Sequence, residues 1–364
     1  MQVSDFDFQY PEELIAQYPL PERDLSRMMV LDRTTGKILH KTFRNFPEFL
    51  QKGDVLVIND SRVFPARLIG RKETGGKIEI LLLNGKSVWK CITNQTKTSK
   101  PGLKIKFGDE LIGKIIGREG DELLIEFNKP ELIKDVGLPP LPPYIRHARS
   151  HPPPIPPRRW KQFHLRGGMG EAGEGVVFYD KERYQTIYAQ HTGSAAAPTA
   201  GFHFTAGLLA KIKDMGVVTA KVTLHVGLDT FSPVRAEDIE EHKMHGEEYF
   251  ISGKSAEKII AAKKEGRRII AVGTTSVRAL ESFFNLPQHQ RTNALTHQRT
   301  DLFITPSYKF HIVDAILTNF HQPKSSLVML VSAFAGRESI MNAYSEAIRL
   351  KYRLFSYGDC MFIF

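Results

Sequence analysis

Six short runs decide how this chain is read: "RVFPARLIG" at 62–70, "KIEILLL" at 77–83, "SVWKCIT" at 87–93, "LKIKFG" at 103–108, "LIGKIIGR" at 111–118 and "ELLIEF" at 122–127. They are rich in Ile, Leu, Val and aromatics, they are separated by Gly, Asn and Asp turn signals, and no helix-length period crosses them. Residues 61–128 therefore predict a small antiparallel barrel or sandwich. On its N-terminal side, "GDVLVIND" at 53–60 reads as a buried strand. A short helix, a Pro-bounded loop and two strands turning at Thr34-Thr35-Gly36 precede it. On its C-terminal side lie "GLPPLPPYI" at 137–145, "HPPPIPPRRW" at 151–160 and "RGGMGEAGEG" at 166–175. Consecutive prolines favour polyproline II and the Gly-rich part has little to pack, so 146–178 reads as a linker or loop.

From about residue 180 strand and helix alternate. Helices are predicted at 205–216, 255–266, 274–284, 325–335 and 338–352, with Thr205 as the first N-cap and Gly216 closing that helix. Strands are predicted at 217–227, 267–273, 301–305, 311–318 and across "YGDCMFIF" at 357–364. Such alternation argues for helices layered on a mixed or parallel sheet. The expected fold class is α/β: a layered main domain of residues 1–60 and 150–364, interrupted by an inserted small antiparallel β-barrel of residues 61–149.

Composition bounds the function. The chain has 364 residues, 41% of them hydrophobic and 25% charged, which excludes a wholly disordered or fibrous protein. Two distant cysteines, Cys91 and Cys360, cannot build a disulfide framework or a cysteine zinc site, and they suit a reducing cytosol. The longest apolar run, "LVMLVSAFAG" at 327–336, is about half of what a bilayer requires. The acidic start "MQVSDFDFQY" is no signal peptide, so a cytoplasmic, membrane-free monomer is expected. The net charge of +10 is localised: residues 61–170 hold 21 Lys and Arg against 10 Asp and Glu, and the rest hold 29 against 30. A basic block on a neutral body suggests a polyanion partner.

Several stretches could carry chemistry. In "IIAVGTTSVRALES" at 269–282 an apolar strand runs through Gly273, Thr274 and Thr275 into a helix bearing Arg278. Free amides at such a helix start, with hydroxyls and an Arg, suit a carboxylate or phosphate. It is neither a GxGxxG fingerprint nor a Walker loop. "HKMHGEEY" at 242–249 gathers His242, His245 and Glu247, side chains suited to proton transfer near neutral pH, without the spacing of a metal site. "GSAAAPTAGFHFT" at 193–205 carries His203, "VTLHVGLDTF" at 222–231 carries His225 at a strand end, and "LTNFHQP" at 317–323 carries Asn319 and His321. Strand ends of α/β sheets are where ligands gather, so one shared cleft is expected.

These stretches together resemble the S-adenosylmethionine:tRNA ribosyltransferase-isomerase family of queuosine biosynthesis. The likeness runs nearly end to end, through "SDFDFQYPEELIAQYPLPERDLSRMMVLDR", "GDVLVINDSRVFPARLIGRKETGGKIEILLL", "PLPPYI" and "ERYQTIYA". It continues in "GSAAAPTAGFHFT", "VTLHVGLDTFSPV", "HKMHGEEY", "AVGTTSVRALES", "VDAILTNFHQPKSSLVMLVSAFAG" and "YGDCMFI". The passages 147–178 and 285–298 depart from the family pattern, and Asp229 and Ser307 stand where glycine is frequent.

The resemblance implies an α/β domain with an inserted barrel. It also implies transfer and isomerisation of the ribosyl part of S-adenosylmethionine onto 7-aminomethyl-7-deazaguanine at the tRNA wobble position. The product would be epoxyqueuosine-tRNA, with adenine and methionine leaving. S-adenosylmethionine would be a co-substrate, with no separate cofactor and no metal. On this reading His225 or His245 is the base that takes a ribose C5′ proton acidified by the sulfonium, with Glu247 and His242 close by. His203, Asn319 and His321 supply donors for a developing oxygen or for the departing adenine. Gly273, Thr274, Thr275 and Arg278 hold the methionine carboxylate. Asn59, Asp60 and Arg62 read the modified base, and tRNA lies over Arg67, Arg71 and Lys72. Two rival classes share some of these features: an S-adenosylmethionine-dependent RNA methyltransferase and a non-catalytic RNA-binding protein.

Overall fold

The computed structural model describes residues 1–146, 180–227, 234, 236–242, 244, 246–287, 291 and 298–364. From residue 147 onward, the expected Pro/Gly-rich loop lies outside the described residues. Strands β1 (Arg27–Leu31), β2 (Ile38–Thr42) and β3 (Val55–Asn59) lead to β4 (Ser61–Val63), β5 (Arg67–Lys72), β6 (Lys77–Gly85) and β7 (Val88–Ile92). Then come β8 (Lys104–Phe107), β9 (Leu111–Glu119), β10 (Glu122–Phe127), helix α1 (Ile133–Val136) and β11 (His191–Ser194). Helix α2 (Ala206–Asp214), β12 (Val218–Leu224), β13 (Glu247–Ile251), α3 (Gly253–Lys264), β14 (Ile269–Val272) and α4 (Thr274–Asn285) follow. The series ends with β15 (Gln298–Thr300), β16 (Ala315–Asn319), α5 (Ser326–Ala335), α6 (Arg337–Arg349) and β17 (Cys360–Ile363). The chain divides into two units. One is Met1–Arg62 and Gln185–Phe364 with the segment starting at Pro142, and the other is Val63–Leu141 with the segment ending at Tyr184.

The first unit is α/β, built on one nine-stranded sheet in the order β15-β13-β12-β3-β14-β16-β17-β1-β2. Its middle four strands, β12, β3, β14 and β16, run parallel. Such strands are buried on both faces, and β3 reads "VLVIN" with all five residues buried. The period of two divides it: Val55 and Val57 join one core cluster, Leu56 and Ile58 the other. The first cluster is roofed by α3, α4, α5 and α6 through residues such as Ile259, Val277, Val331 and Tyr344. The second is covered by Phe43 and Phe46 and by Leu208 and Ile212 of α2. The caps read from sequence form: Thr205 Oγ1 accepts from Leu208 N at 3.2 Å, and Gly216 takes a left-handed φ of +82°.

Two expected strands change. No strand forms at 301–305, because the Thr300 hydroxyl accepts the Leu302 amide at 3.1 Å and turns the chain out of the ladder after β15. The strand expected at 311–318 begins only at Ala315, because the amides of His311, Ile312 and Val313 all donate to the buried carboxylate of Glu281 on α4. Among the described residues no helix is long and apolar enough to cross a membrane.

The second unit is a closed antiparallel barrel in the order β10-β7-β6-β5-β8-β9, which selects the barrel over the sandwich. Its six strands are those quoted at the outset, and closure leaves no free edge. Alternation sends Leu68, Ile80, Ile105, Ile115 and Ile125 inward, all fully buried. Gly70 also faces inward and makes room for Phe107: a Cβ there would lie 2.6 Å from that ring and 2.8 Å from Ile105. Gly70→Ala is therefore expected to cost about 1–3 kcal/mol by overpacking, read as a lower urea midpoint at unchanged m-value.

Candidate active site

Because β12, β3, β14 and β16 are parallel and adjacent, their C-terminal ends share one edge of the sheet, the usual ligand position in open α/β sheets. A cleft of about 710 Å³, open to solvent, lies there. Its walls are the Ala196–Ala200 segment, Val226, Gly273–Thr275 after β14, Thr318–Gln322 at the end of β16, and Ser325 and Leu327 at the start of α5, with Tyr144, Phe355 and Ser356. None of the described residues lining it is Asp, Glu, Lys or Arg. Its polarity comes from hydroxyls, amides, one imidazole and two helix N-termini.

Those two termini differ. On α5 the Ser325 side chain accepts from Val328 N at 3.3 Å and satisfies one of the free amides. On α4 the N-cap is Gly273, held at φ +85° with no side chain to cap the first turn. The Thr275 Oγ1 is buried with no hydrogen-bond partner. Thr274 is 6% exposed and lines the cleft, and Ser276 turns away to donate to Val272 O at 2.7 Å. The positive end of a twelve-residue helix thus faces the cleft with its amides uncapped and two hydroxyls beside them, a setting for a carboxylate or phosphate.

Asn319 forms the floor. It is 2% exposed, and its Nδ2 donates to Phe355 O at 2.9 Å. Its Oδ1 is thereby the acceptor, 3.3 Å from His203 Nε2, so His203 carries its proton on Nε2. Burial, with Arg23 and Arg353 nearby, pushes the His203 pKa down to about 4 and keeps the ring neutral. The chain His203–Asn319–Phe355 holds a cleft-lining residue at φ +69°, a conformation rare for a non-glycine residue. His321 lines the cleft with Nε2 at 2.8 Å from the Thr318 hydroxyl, and desolvation pushes its pKa down to about 3.

The cleft therefore brings together Gly273, Thr274, Thr275, Asn319 and His321, with His203 directly behind. Other expected site residues are placed differently. Arg278 does not line the cleft: its Nη1 pairs with Glu247 Oε2 and its Nε donates to Leu302 O at 3.1 Å. Glu247 is committed too, since its Oε1 accepts from Gly227 N at 2.9 Å; each of the two residues is about 95% buried. Asn59 is fully buried and spends its amide on β12, donating to Leu224 O at 3.0 Å and accepting from Leu224 N at 3.1 Å. Asp60 is 2% exposed and accepts from the Thr223 hydroxyl at 2.6 Å. The second oxygen of Asp60, Oδ2, lies 3.7 Å from Nε2 of the exposed His191.

Arg62 is exposed and only grazes Ala189 O at 3.4 Å. His225 sits against the backbone of Gly193, and His242 packs edge-on to Phe303. His245 lies outside the described residues. On the barrel, Arg67 is held by Glu79 at 3.0 Å, Lys72 donates to Thr98 Oγ1 at 2.8 Å, and Arg71 is exposed. Sequence reasoning did not single out Tyr144, Ser356 or Phe355. Tyr144 lies in the Pro-bounded "PLPPYI", its hydroxyl 2.7 Å from Ser356 Oγ, and that was its only signal.

The buried charged and titratable groups set two expectations. Glu247→Leu strands a buried guanidinium and is expected to cost about 3–5 kcal/mol, whereas Glu247→Leu with Arg278→Met should recover most of it. Urea unfolding of both variants and the wild type checks this. For His203 the folded pKa of about 4 lies below the unfolded value near 6.5, so the unfolded chain binds the extra proton between those pH values. Stability is thus lost as pH falls through that window. Between pH 7 and 5 the wild type is expected to lose roughly 2 kcal/mol more than His203→Gln.

The sequence comparisons agree with this geometry. The family described as "Queuosine biosynthesis protein" matches residues 3–363. A protein of Thermosipho melanesiensis named S-adenosylmethionine:tRNA ribosyltransferase-isomerase is 48% identical over 370 residues, spanning all of both chains. One of the same name from Acetivibrio thermocellus is 47% identical over 376 residues, again with full coverage of both. A crystal structure of S-adenosylmethionine tRNA ribosyltransferase from Thermotoga maritima is 34% identical and superposes with a TM-score of 0.53, covering 99% of this chain and all of that one. With every motif of the cleft inside a match of this length, the chain belongs to the queuosine biosynthesis protein family.

Proposed function

We propose that this protein transfers and isomerises the ribosyl moiety of S-adenosylmethionine onto the 7-aminomethyl group of 7-aminomethyl-7-deazaguanine at the tRNA wobble position. The product is epoxyqueuosine-tRNA, with release of adenine and methionine. We place it in the cytoplasm as a monomer, with S-adenosylmethionine as a co-substrate and no separate cofactor. The observation that carries this reading is the uncharged cleft at the parallel strand ends, with the uncapped start of α4 and two hydroxyls on one wall. The relatives' names favour it over methyl transfer.

The methionine carboxylate docks on the α4 amides with Thr274 and Thr275, and Arg278 has no part in it, since Glu247 already holds that guanidinium. A site without formal charge suits the sulfonium, which would be repelled by a second cation nearby. With pKa values of about 4 and 3, His203 and His321 are too weakly basic to take the C5′ proton at neutral pH. They act as neutral groups: His203 fixes Asn319, and His321 and Thr318 face the adenine or a developing oxygen. The base is then His225 or His245, with Glu247 orienting by its grip on Gly227, two residues beyond His225.

The test is to incubate the protein with S-adenosylmethionine and tRNA bearing the 7-aminomethyl base, and to identify released small molecules by mass. Adenine and methionine are expected, and only with that modified tRNA. S-adenosylhomocysteine would mean methyl transfer, and tRNA binding without turnover would mean a binding protein. The place of His225 yields a sharper expectation. A Cβ on Gly193 would lie 2.9 Å from the His225 ring, so Gly193→Ala should displace the imidazole and lower kcat roughly 10–100-fold, measured at a temperature below the somewhat lowered thermal midpoint that an alanine at φ +157° brings.

A further inference from the structure

The barrel carries a face that the chemistry above does not use. Strands β5, β8 and β9 are neighbours, and their register sets Arg71 directly opposite Lys106, Lys106 opposite Ile112, and Lys104 opposite Lys114. All four basic residues are exposed. Side chains directly opposed on one face of an antiparallel pair have Cβ atoms about 5 Å apart, and like charges so placed repel. Arg71–Lys106 and Lys104–Lys114 are two such pairs side by side. Three other barrel cations are answered by acids: Arg67 holds Glu79, Lys129 holds Glu110, and Lys90 holds Glu119 and Glu122. Among the described residues, no Asp or Glu pairs with Arg71, Lys104, Lys106 or Lys114. Glu126 stands across from Lys114 on β10, but the two form no ion pair. Between the cations three isoleucines, Ile69, Ile112 and Ile116, stay 45%, 38% and 42% exposed.

A closed barrel does not need this arrangement, which lowers its own stability. A polyanion converts the repulsion into attraction and releases its counterions on binding. We propose that the β5–β8–β9 face, centred on Arg71, Lys104, Lys106 and Lys114, binds the phosphate backbone of the RNA substrate, with the isoleucines against its sugars. Spacing fits the role. Cations recur about 5 Å across strands and about 7 Å along them, the scale of successive phosphates. Phosphate binding of this kind positions an RNA without reading its sequence, leaving recognition of the modified base to the catalytic unit. The inference rests on tRNA being the substrate, as argued above.

The experiment compares wild type with Lys104→Gln/Lys106→Gln/Lys114→Gln, measuring affinity for unmodified tRNA between 50 and 200 mM salt, on the order of the range where counterion release dominates. The slope of log K against log salt should fall by about 2–3, at roughly 0.7–0.9 for each phosphate that the variant leaves unneutralised. The KM for modified tRNA should rise at least tenfold, while the KM for S-adenosylmethionine holds. A control variant, Lys211→Gln/Lys213→Gln/Lys264→Gln in the α/β unit, should keep the wild-type slope. The face is overturned if the triple variant, unfolding at the wild-type temperature, keeps the wild-type slope and tRNA KM, or if an acidic protein ligand competes while tRNA does not bind. If wild type binds tRNA with the expected slope but releases no adenine, the functional reading fails and the face stands. If the triple variant releases adenine at the wild-type tRNA KM, the reading stands and the face fails.

Discussion

The architecture depends on how a parallel sheet is closed at the point where another domain interrupts it. Strand β3 ends at Asn59 and the chain departs for the barrel, so the next parallel partner, β12, arrives only at Val218. The parallel ladder carries β3 alongside β12 as far as Asn59 and Val222, and past it side chains take over. Asn59 does so with one side-chain amide, bonding both backbone groups of Leu224 and also the Ser61 N–H at 3.1 Å. Asp60 completes the clamp. Its carboxylate takes the Thr223 hydroxyl, and its carbonyl takes the Gln190 N–H of the returning chain at 2.7 Å. Departure, return and the end of β12 are thereby tied together. The cleft can be built on strand ends because these two residues hold the ends in place.

Charge is handled by the same economy. Wherever the α/β unit buries a formal charge, a specific polar partner receives it. Glu281 is fully buried and accepts from three backbone amides and from the Tyr308 hydroxyl at 3.0 Å. Asp54 takes Arg268 at 2.6 Å, and Arg278 takes Glu247. The cleft itself is left to neutral groups and helix dipoles, and the two histidines nearest it are kept uncharged by burial. A cationic, reactive donor is best held where no fixed charge competes with its own.

Much of the fold was legible in the sequence because local rules agreed with the global answer. The six barrel runs alternate with period two and are punctuated by turn residues, and every one became a strand. Thr205 and Gly216 bracket their helix because capping chemistry is local. The failures were tertiary. The strand expected at 301–305 is apolar enough to pair, but the hydroxyl of Thr300, the last residue of the ladder, turns it away, and Glu281 captures the amides that would have begun β16 early. The site was legible in part for the same reason. Gly273, Thr274 and Thr275 announce themselves as a strand-to-helix turn, and Asn319 and His321 as a strand end. Arg278 looked like an anion ligand because sequence spacing cannot reveal that a carboxylate 31 residues away already holds it. The clamp that Asn59 and Asp60 form was not legible, because buried structural clamps and binding groups use the same side chains.

The topology also sets the order in which the molecule can assemble. Every barrel strand pairs within a stretch of fewer than 70 residues, so that module can close soon after its last strand emerges from the ribosome. The large sheet has no such option. Strand β1 pairs with β17, and Arg27 N reaches Asp359 across 332 residues. Through most of synthesis β1 and β3, each apolar enough to be buried, wait without their parallel neighbours while a finished barrel follows β3 in the chain. Loops that long close slowly and leave strand edges open to other chains. The inserted domain thus lengthens the interval in which the nascent protein is most prone to aggregate, and cellular folding assistance would act on β1 and β3, not on the barrel.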